Sequence, residues 1–212
     1  MARGNRRSEE RALLVPAWFV GFDSLMQIID SIIAFGISYY ALRGYRLVKE
    51  KTLFFLHFSF VLLGVGLLID GIVTVPALAF RSLSPVTSLS YLIRIIGEIV
   101  AYALLLLAYL RQTRSFMLGT TFASMILDYN PFLETIVFFL VAYVASQAAM
   151  NYSVKKERNS LLVFVGFLLL AMSHMFFILP PIFRLFFVIA HVTQLLGFAA
   201  LLTMLVRVTR TR

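Results

Sequence analysis

Residues 159–206, NSLLVFVGFLLLAMSHMFFILPPIFRLFFVIAHVTQLLGFAALLTMLV, contain two long apolar runs separated by Pro180-Pro181. Proline ends a helix because it lacks an N–H group and its ring clashes with the preceding turn. The stretch therefore predicts two membrane-spanning helices joined by a turn. His174 lies six residues before the proline pair and His191 lies ten residues after it. At a rise of about 1.5 Å per residue, the two histidines are expected at similar depths on facing helices.

The composition of the chain indicates a membrane protein. Hydrophobic residues make up 61% of the 212 residues and charged residues only 14%, and the mean hydropathy is +0.92. Soluble domains are about 45–50% apolar and about 25% charged. Because a soluble fold has no way to bury so much Leu, Phe, Ile and Val, we expect an integral membrane protein whose surroundings are a lipid bilayer.

The net charge of +9 does not point to a nucleic-acid partner. Most Lys and Arg residues lie in short clusters between apolar runs, where membrane proteins keep their cytoplasmic charge. The chain contains no cysteine, which excludes a disulfide framework, a thiolate metal site and a cysteine nucleophile. The sequence contains no hydrolase, zinc-protease or nucleotide-binding motif, so no enzymatic activity is expected.

Six segments have the length and apolar composition of a membrane span: 17–42, 52–75, 87–110, 131–151, 159–179 and 183–206. Residues 1–16 form a basic N-terminal segment, and the apolar run that follows it is predicted to be a retained helix rather than a signal peptide. A shorter apolar run, Ser115–Leu127, lies between the third and fourth segments. It is compatible with a short spanning helix, a re-entrant segment or an interfacial helix.

An internal repeat divides the chain into two related units. Ile28–Ile33 aligns with Phe132–Val137, which places Asp30 on Glu134. The basic turn 48–51 matches 154–157. The third span of each unit also ends alike, in RQTR at 111–114 and in RVTR at 207–210. We therefore predict a first three-helix unit at 17–114, a short linker helix or re-entrant segment at 115–130 and a second three-helix unit at 131–212.

The distribution of basic residues favours seven crossings over six. Units of three helices that run in the same direction need one further crossing between them, and residues 115–127 are the candidate. This arrangement places both basic turns on one side and more Lys and Arg in the cytoplasm than a six-crossing arrangement does. The fold class predicted is an all-α polytopic transmembrane bundle, with six helices as the alternative, the N-terminus outside and the C-terminus cytoplasmic.

The three-one-three layout of two parallel triple-helix units resembles that of sugar transporters of the SWEET type, and of the wider seven-helix transporter and opsin group. The resemblance covers layout alone. No Pro-Gln dipeptide of the related PQ-loop kind is present, and no Lys occurs after Lys156 to serve as a retinal-binding lysine. The resemblance implies transport and gives no support to a retinal photoreceptor.

Polar residues inside the predicted spans form two further candidate groups. Spacings of four, three and eight put Asp23, Gln27, Asp30 and Ser38 on one face of the first helix. This stripe, with Glu134 of the second unit, predicts either interhelical hydrogen bonding or a solute or proton path. In the second and third helices, Asp70, Arg94 and Glu98 are predicted to form a structural ion pair, because Arg94 and Glu98 are four residues apart on one helix.

The histidine pair supports three interpretations. His174 and His191 could bind a metal as axial ligands of a b-type haem, with Arg184 near a propionate. They could instead form a proton-active pair, or each could hydrogen-bond a neighbouring helix. Helices packed 8–10 Å apart leave little room for a macrocycle.

Three hypotheses for the function follow. The first is a b-haem membrane subunit for electron transfer or redox sensing. The second is a small-solute or proton-coupled transporter built on the repeat. The third is a non-catalytic membrane anchor or sensor for a partner protein, and other membrane subunits or a second copy of the chain are possible partners.

Overall fold

The computed structural model describes residues 17–79, 84–110, 131–179 and 185–210, and these residues form six long helices. The helices are α1 (Ala17–Val48), α2 (Lys51–Ala79), α3 (Ser84–Leu110), α4 (Pro131–Lys155), α5 (Arg158–Ile178) and α6 (Leu185–Arg210). Each is long and apolar enough to cross a bilayer. Even α5, the shortest with 21 residues, is about 30 Å long, which matches the hydrocarbon core.

The six spans make the chain a multi-pass membrane protein, as the sequence predicts. A seventh helix finds no support among the described residues, because the predicted linker at 115–130 lies outside them. The basic segment 1–16, Pro180-Pro181 and Arg184 also lie outside them. Several helices run past their predicted apolar ends, and α1 reaches Val48 rather than residue 42. Basic side chains at a helix end can extend to the interface, so the charged turns continue the helices.

The six helices form a closed ring in which the backbone of each helix approaches only those of its two neighbours within the described chain. Successive helices within each half are antiparallel. On α1 and α2, for example, Ser31 Oγ donates to the Gly64 carbonyl oxygen and Ser38 meets His57. The ring closes between α6 and α1.

Helices α1 and α6 run parallel. His191 contacts Asp23 near the start of both helices, and Leu202 packs near Gly36 further along both. Following the antiparallel pairs around the ring from α1 to α3, and from α6 back to α4, shows that α3 and α4 are parallel too. Each half therefore runs up, down and up in the same sense, and Ala17 and Arg210 lie at opposite ends of the bundle.

The two ends of the bundle differ in charge. At the basic end, where α2 and α5 begin, lie all the described Lys and Arg residues except Arg94. The opposite end, where α1, α3, α4 and α6 begin, is called the network end here because the buried polar residues described below lie in that half.

The turns at the basic end share an uncommon backbone geometry. Lys49 has φ 56° and Lys156 has φ 51°, and they are the only described non-glycine residues with positive φ. Each N–H group donates back to a tyrosine carbonyl oxygen four residues earlier, over 2.7 Å to Tyr45 and 2.8 Å to Tyr152. This left-handed residue is a standard helix C-cap. The shared geometry makes Lys49 equivalent to Lys156. The sequence comparison aligned Lys49 with Lys155 instead, which differs by one position.

The outer surface of the ring is apolar and the interior carries the polar groups. Large exposed side chains recur at helical spacing on all six helices, among them Ile32, Ile72, Ile96, Phe139 and Leu196. Inside, Phe60 of α2 meets Phe198 of α6 with ring centroids 5.8 Å apart. An apolar exterior around a partly polar interior is the arrangement that a lipid environment requires.

The parallel halves predict the sidedness of the turns. Because the chain has no cysteine, single cysteines can be introduced at the exposed positions Glu50, Glu157 and Leu185. We expect Glu50→Cys and Glu157→Cys to react with an impermeant maleimide from the same side of sealed vesicles. Leu185→Cys is expected to react only from the other side. Labelling of the first two from opposite sides would contradict the parallel arrangement.

Candidate functional site

The guanidinium of Arg94 joins three carboxylates from three helices. Its Nε lies 3.1 Å from Asp70 Oδ2 on α2. Its Nη1 lies 2.8 Å from Glu98 Oε1 on α3 itself, and its Nη2 lies 3.2 Å from Glu134 Oε1 on α4. The Arg94 side chain is 10% exposed. A buried arginine needs such charged partners because an unpaired charge in the membrane interior is costly.

Asp70 and Arg94 have additional partners on α3. Ser90 Oγ donates to Asp70 Oδ1 over 2.7 Å. The ring of Tyr91 lies beneath the guanidinium, with the Arg94 Cζ atom 5.1 Å from the ring centroid, which is a favourable cation–π distance. These contacts fix the Asp70–Arg94 pair from both sides.

Glu134 connects Arg94 to His174. While its Oε1 faces Arg94, its Oε2 lies 3.1 Å from His174 Nδ1 on α5. With Glu134 ionised, His174 Nδ1 carries the proton and donates this bond. Tyr102 packs its ring edge against the His174 imidazole, with centroids 5.7 Å apart. Glu134 and His174 are both fully buried.

A second acid–base pair joins α1 to α6. His191 Nε2 lies 3.0 Å from Asp23 Oδ1, and Gln27 Nε2 donates to the same oxygen over 2.9 Å. Gln27 also approaches Asp70, linking this pair to the first group. We call the whole set the polar network: Asp23, Gln27, Asp70, Ser90, Arg94, Glu98, Glu134, His174 and His191. All six helices contribute to it.

Several buried polar atoms of this region have no hydrogen-bond partner among the described residues. They are both carboxyl oxygens of Asp30, Gln27 Oε1, Glu98 Oε2, His174 Nε2, His191 Nδ1 and Arg94 Nε, of which the last lies against Asp70 in an ion pair. Asp30 lies two helical turns deeper than Asp23 and interacts electrostatically with Glu98. Native proteins leave few buried polar atoms unpaired, so this concentration in one place indicates that the region serves more than packing.

The charges of the region do not balance. Asp30, Asp70, Glu98 and Glu134 are buried carboxyl groups, and Arg94 is the one buried guanidinium within the described chain. If all four acids were ionised, three negative charges would remain in excess with His174 neutral. An uncompensated charge is very unfavourable in a medium of low dielectric constant. Protons on these carboxyl groups or on His174, or a bound cation, would reduce this excess.

Some of the residues predicted from the sequence lie in the polar network and others lie outside it. Asp70, Arg94 and Glu98, predicted as an ion pair, do lie together. Of the predicted polar stripe, Asp23 and Gln27 join the network and Asp30 stands apart from its hydrogen bonds. Ser38 lies further along α1, where its Oγ is 2.7 Å from His57 Nδ1. The sequence comparison assigned the Asp–Arg group and the histidines to separate halves, whereas Glu134 joins them.

The two histidines predicted as axial ligands do not face each other across an open space. Phe177 contacts both imidazoles, with ring centroids 6.1 Å from His174 and 4.9 Å from His191. A macrocycle held by both nitrogens would need the volume that this phenyl ring fills. Each histidine is also bonded to a different carboxylate. The pair therefore does not fit one haem, and Arg184, the predicted propionate partner, lies outside the described residues.

Sequence reasoning missed three residues that shape the site. Tyr102 and Ser90 both lie at helical spacing from the predicted α3 charges, four residues from Glu98 and Arg94 respectively, which is the only signal for them. Gly66 of α2 is the third. A Cβ atom placed there would lie 3.1 Å from the Arg94 Cα atom. Glycine therefore lets the α2 backbone approach α3 where Arg94 begins to reach across the ring.

The chain matches no protein-family model, no curated protein and no solved structure in the comparisons made.

Arg94→Met is expected to lower the free energy of unfolding by about 3–5 kcal/mol, because it leaves three buried carboxylates without their shared cation. Arg43→Met removes an exposed arginine at the basic end and should change it by less than about 0.5 kcal/mol. Thermal or denaturant unfolding in detergent measures both. A similar stability for the two variants would show that Arg94 does not hold the network together.

Gly66→Ala should be destabilising by about 1–3 kcal/mol, because the added methyl group meets backbone atoms of α3 that cannot rotate away. Gly21→Ala is the matched control, since nothing lies within 4 Å of a Cβ atom at that position. Unfolding midpoints of the two variants in the same detergent compare them. An equal effect at both positions would mean that α2 and α3 tolerate a wider separation.

Proposed function

We propose that this protein is a proton-coupled carrier of a small cationic solute. The observation that carries the proposal is the excess of buried carboxyl groups around one arginine, located where the two three-helix halves meet. Such a site favours positive charge and can exchange it for protons. Ionisable residues inside a membrane commonly mark ion and substrate pathways.

The acid–base pairs sit at both junctions between the halves. Arg94 and Glu134 meet where α3 contacts α4, and His191 and Asp23 meet where α6 contacts α1. In each case the first helix of one half supplies the acid and the third helix of the other supplies the base. Carriers built from two related halves bind their substrates at this kind of interface. Breaking and remaking these pairs would let the halves move against each other.

The unpartnered atoms define how exchange would proceed. Asp30 and Glu98 have oxygens without a hydrogen-bond partner in the described part of the chain, and protonation of these acids neutralises them when no solute is bound. A bound cation takes over that role, and the protons leave. Arg94 stays paired to Asp70 and Glu98 within its own half and keeps these acids in place, while its pair with Glu134 breaks and re-forms.

The proposed carrier has seven crossings and an internal repeat. The parallel directions of α3 and α4 support this count, and we propose residues 115–130 as the further crossing. The shared turn geometry at Lys49 and Lys156 supports the repeat. The result is the three-one-three layout of SWEET-type transporters. We place the basic end in the cytoplasm, with the N-terminus outside and the C-terminus inside.

A second candidate is a membrane anchor or sensor for a partner protein. The closure of Arg94 by three carboxylates and an aromatic ring favours this alternative, since paired intramembrane charges can act purely as a structural clamp. A clamp of this kind requires no exchange of ions. Removal of an acid that Arg94 does not bind therefore distinguishes the two candidates, because it should abolish transport by a carrier and leave a clamp intact. Asp30 is the clearest such acid.

Proton flux from proteoliposomes loaded with the pH dye pyranine tests the carrier. Inward gradients of Na⁺, Mn²⁺, Zn²⁺, choline and putrescine are applied one at a time. We expect at least one cation to drive proton efflux, and we expect Asp30→Asn and Glu134→Gln to reduce that flux to the level of empty liposomes. The reason is that the carboxyl groups of Asp30 and Glu134 would hold the protons that exchange for the cation.

Glu157→Gln, which neutralises an exposed acid at the basic end, serves as the control and should retain full flux. No response to any of the five cations, or a response that Asp30→Asn leaves unchanged while the variant folds normally, would favour the anchor over the carrier.

A further inference from the structure

We propose that Glu98, Glu134 and His174 form a binding site for a divalent first-row transition-metal cation, and that such a cation is the solute carried. The second part rests on the proposed transport function, whereas the binding site stands on its own geometry. The three side chains come from α3, α4 and α5. Each offers one ligand atom, and these three atoms lie within 4.8 Å of one another. All three residues are almost completely buried.

The orientation of the two carboxylates supports a cation site. Arg94 forms ion pairs with the Oε1 atoms of both Glu98 and Glu134. Glu98 Oε2 is left without a partner among the described residues, and Glu134 Oε2 points to His174. One arginine thus holds two carboxylates with their second oxygens available, which makes Arg94 a positioning residue for the site.

The spacing of the donor atoms suits a metal ion. Glu134 Oε2 and His174 Nδ1 are 3.1 Å apart, and two ligands of one ion at about 2.0–2.2 Å lie roughly 3.0–3.4 Å from each other. The same distance serves a hydrogen bond when no ion is bound. Binding would replace the Nδ1 proton with the metal and draw Glu98 inward by roughly 1–1.5 Å. His174 Nε2, also unpartnered, is the alternative donor.

The donor types indicate which cation. Mg²⁺ and Ca²⁺ take oxygen ligands, whereas a neutral imidazole beside carboxylates suits Zn²⁺, Mn²⁺, Fe²⁺ or Co²⁺. Two positive charges would leave the four acids and Arg94 of this region with one negative charge in excess instead of three. Three protein ligands leave a coordination position open, which is typical of sites that exchange ligands rather than of structural zinc sites. Release of the ion is a requirement for a carrier.

Binding of Co²⁺ and Zn²⁺ to the purified full-length protein tests the site without any transport step. The protein is prepared in detergent without a histidine tag, Co²⁺ is followed by its visible absorption and Zn²⁺ by titration calorimetry. We expect one ion per chain. Glu98→Gln, Glu134→Gln and His174→Ala should each weaken binding by at least about 10-fold.

Glu157→Gln and His57→Phe are the matched controls, because each changes an acid or a histidine toward the basic end, outside the polar network, and should leave the affinity unchanged. Glu98→Gln keeps the size of a side chain whose Oε2 has no hydrogen-bond partner among the described residues, so it tests the site even where His174→Ala fails to fold. Absence of a one-to-one complex, or equal binding by Glu98→Gln and the unaltered chain, overturns the metal site.

The two proposals fail separately. Loss of metal binding together with proton flux driven by choline or putrescine would reject the metal as solute and leave the carrier standing. Stoichiometric metal binding that Glu98→Gln abolishes, without flux driven by Mn²⁺ or Zn²⁺, would leave the site standing and reject metal transport.

Discussion

The structure depends on the burial of one guanidinium, that of Arg94, in the half of the bundle toward the network end. Arg94 cannot lose its proton under biological conditions, so its charge must be met by acids wherever the helices place it. Asp70, Glu98 and Glu134 meet it from three helices, and Gly66 lets α2 come close enough for this. Four buried acids share this region with one guanidinium, and that excess of negative charge makes the site a candidate for cations and protons.

The direction of the helices is the second constraint. Two halves that each run up, down and up can close a six-membered ring only with parallel contacts at α3–α4 and α6–α1. Both of these contacts carry an acid–base pair in the interior. Interfaces held by a few polar pairs are easier to separate than those within each half, where glycine backbones approach closely, as at Gly166 and Gly197. The proposed carrier would move one half against the other at these two interfaces.

Some of the site was predictable and some was not. The i, i+4 spacing of Arg94 and Glu98 guarantees that they share a helix face, so the pair could be read from the sequence. The contact between Glu134 and Arg94 could not, because forty residues and a separate segment lie between them. The same holds for Asp23 and His191. The spacing around Pro180-Pro181 suggested that His174 and His191 belonged together, yet packing gave each a different acid and placed Phe177 against both.

The sequence by itself determined that the chain is a multi-pass α-helical membrane protein, because 61% hydrophobic residues in spanning-length runs have no other stable solvent. It also determined which few residues would carry charge inside the bilayer. Only the tertiary structure decided how those charges pair. Pairing depends on the relative rotation and depth of separate helices, which short-range periodicity does not encode. The excess of buried carboxyl groups around Arg94 follows from the packing of all six helices, which brings these groups into one region.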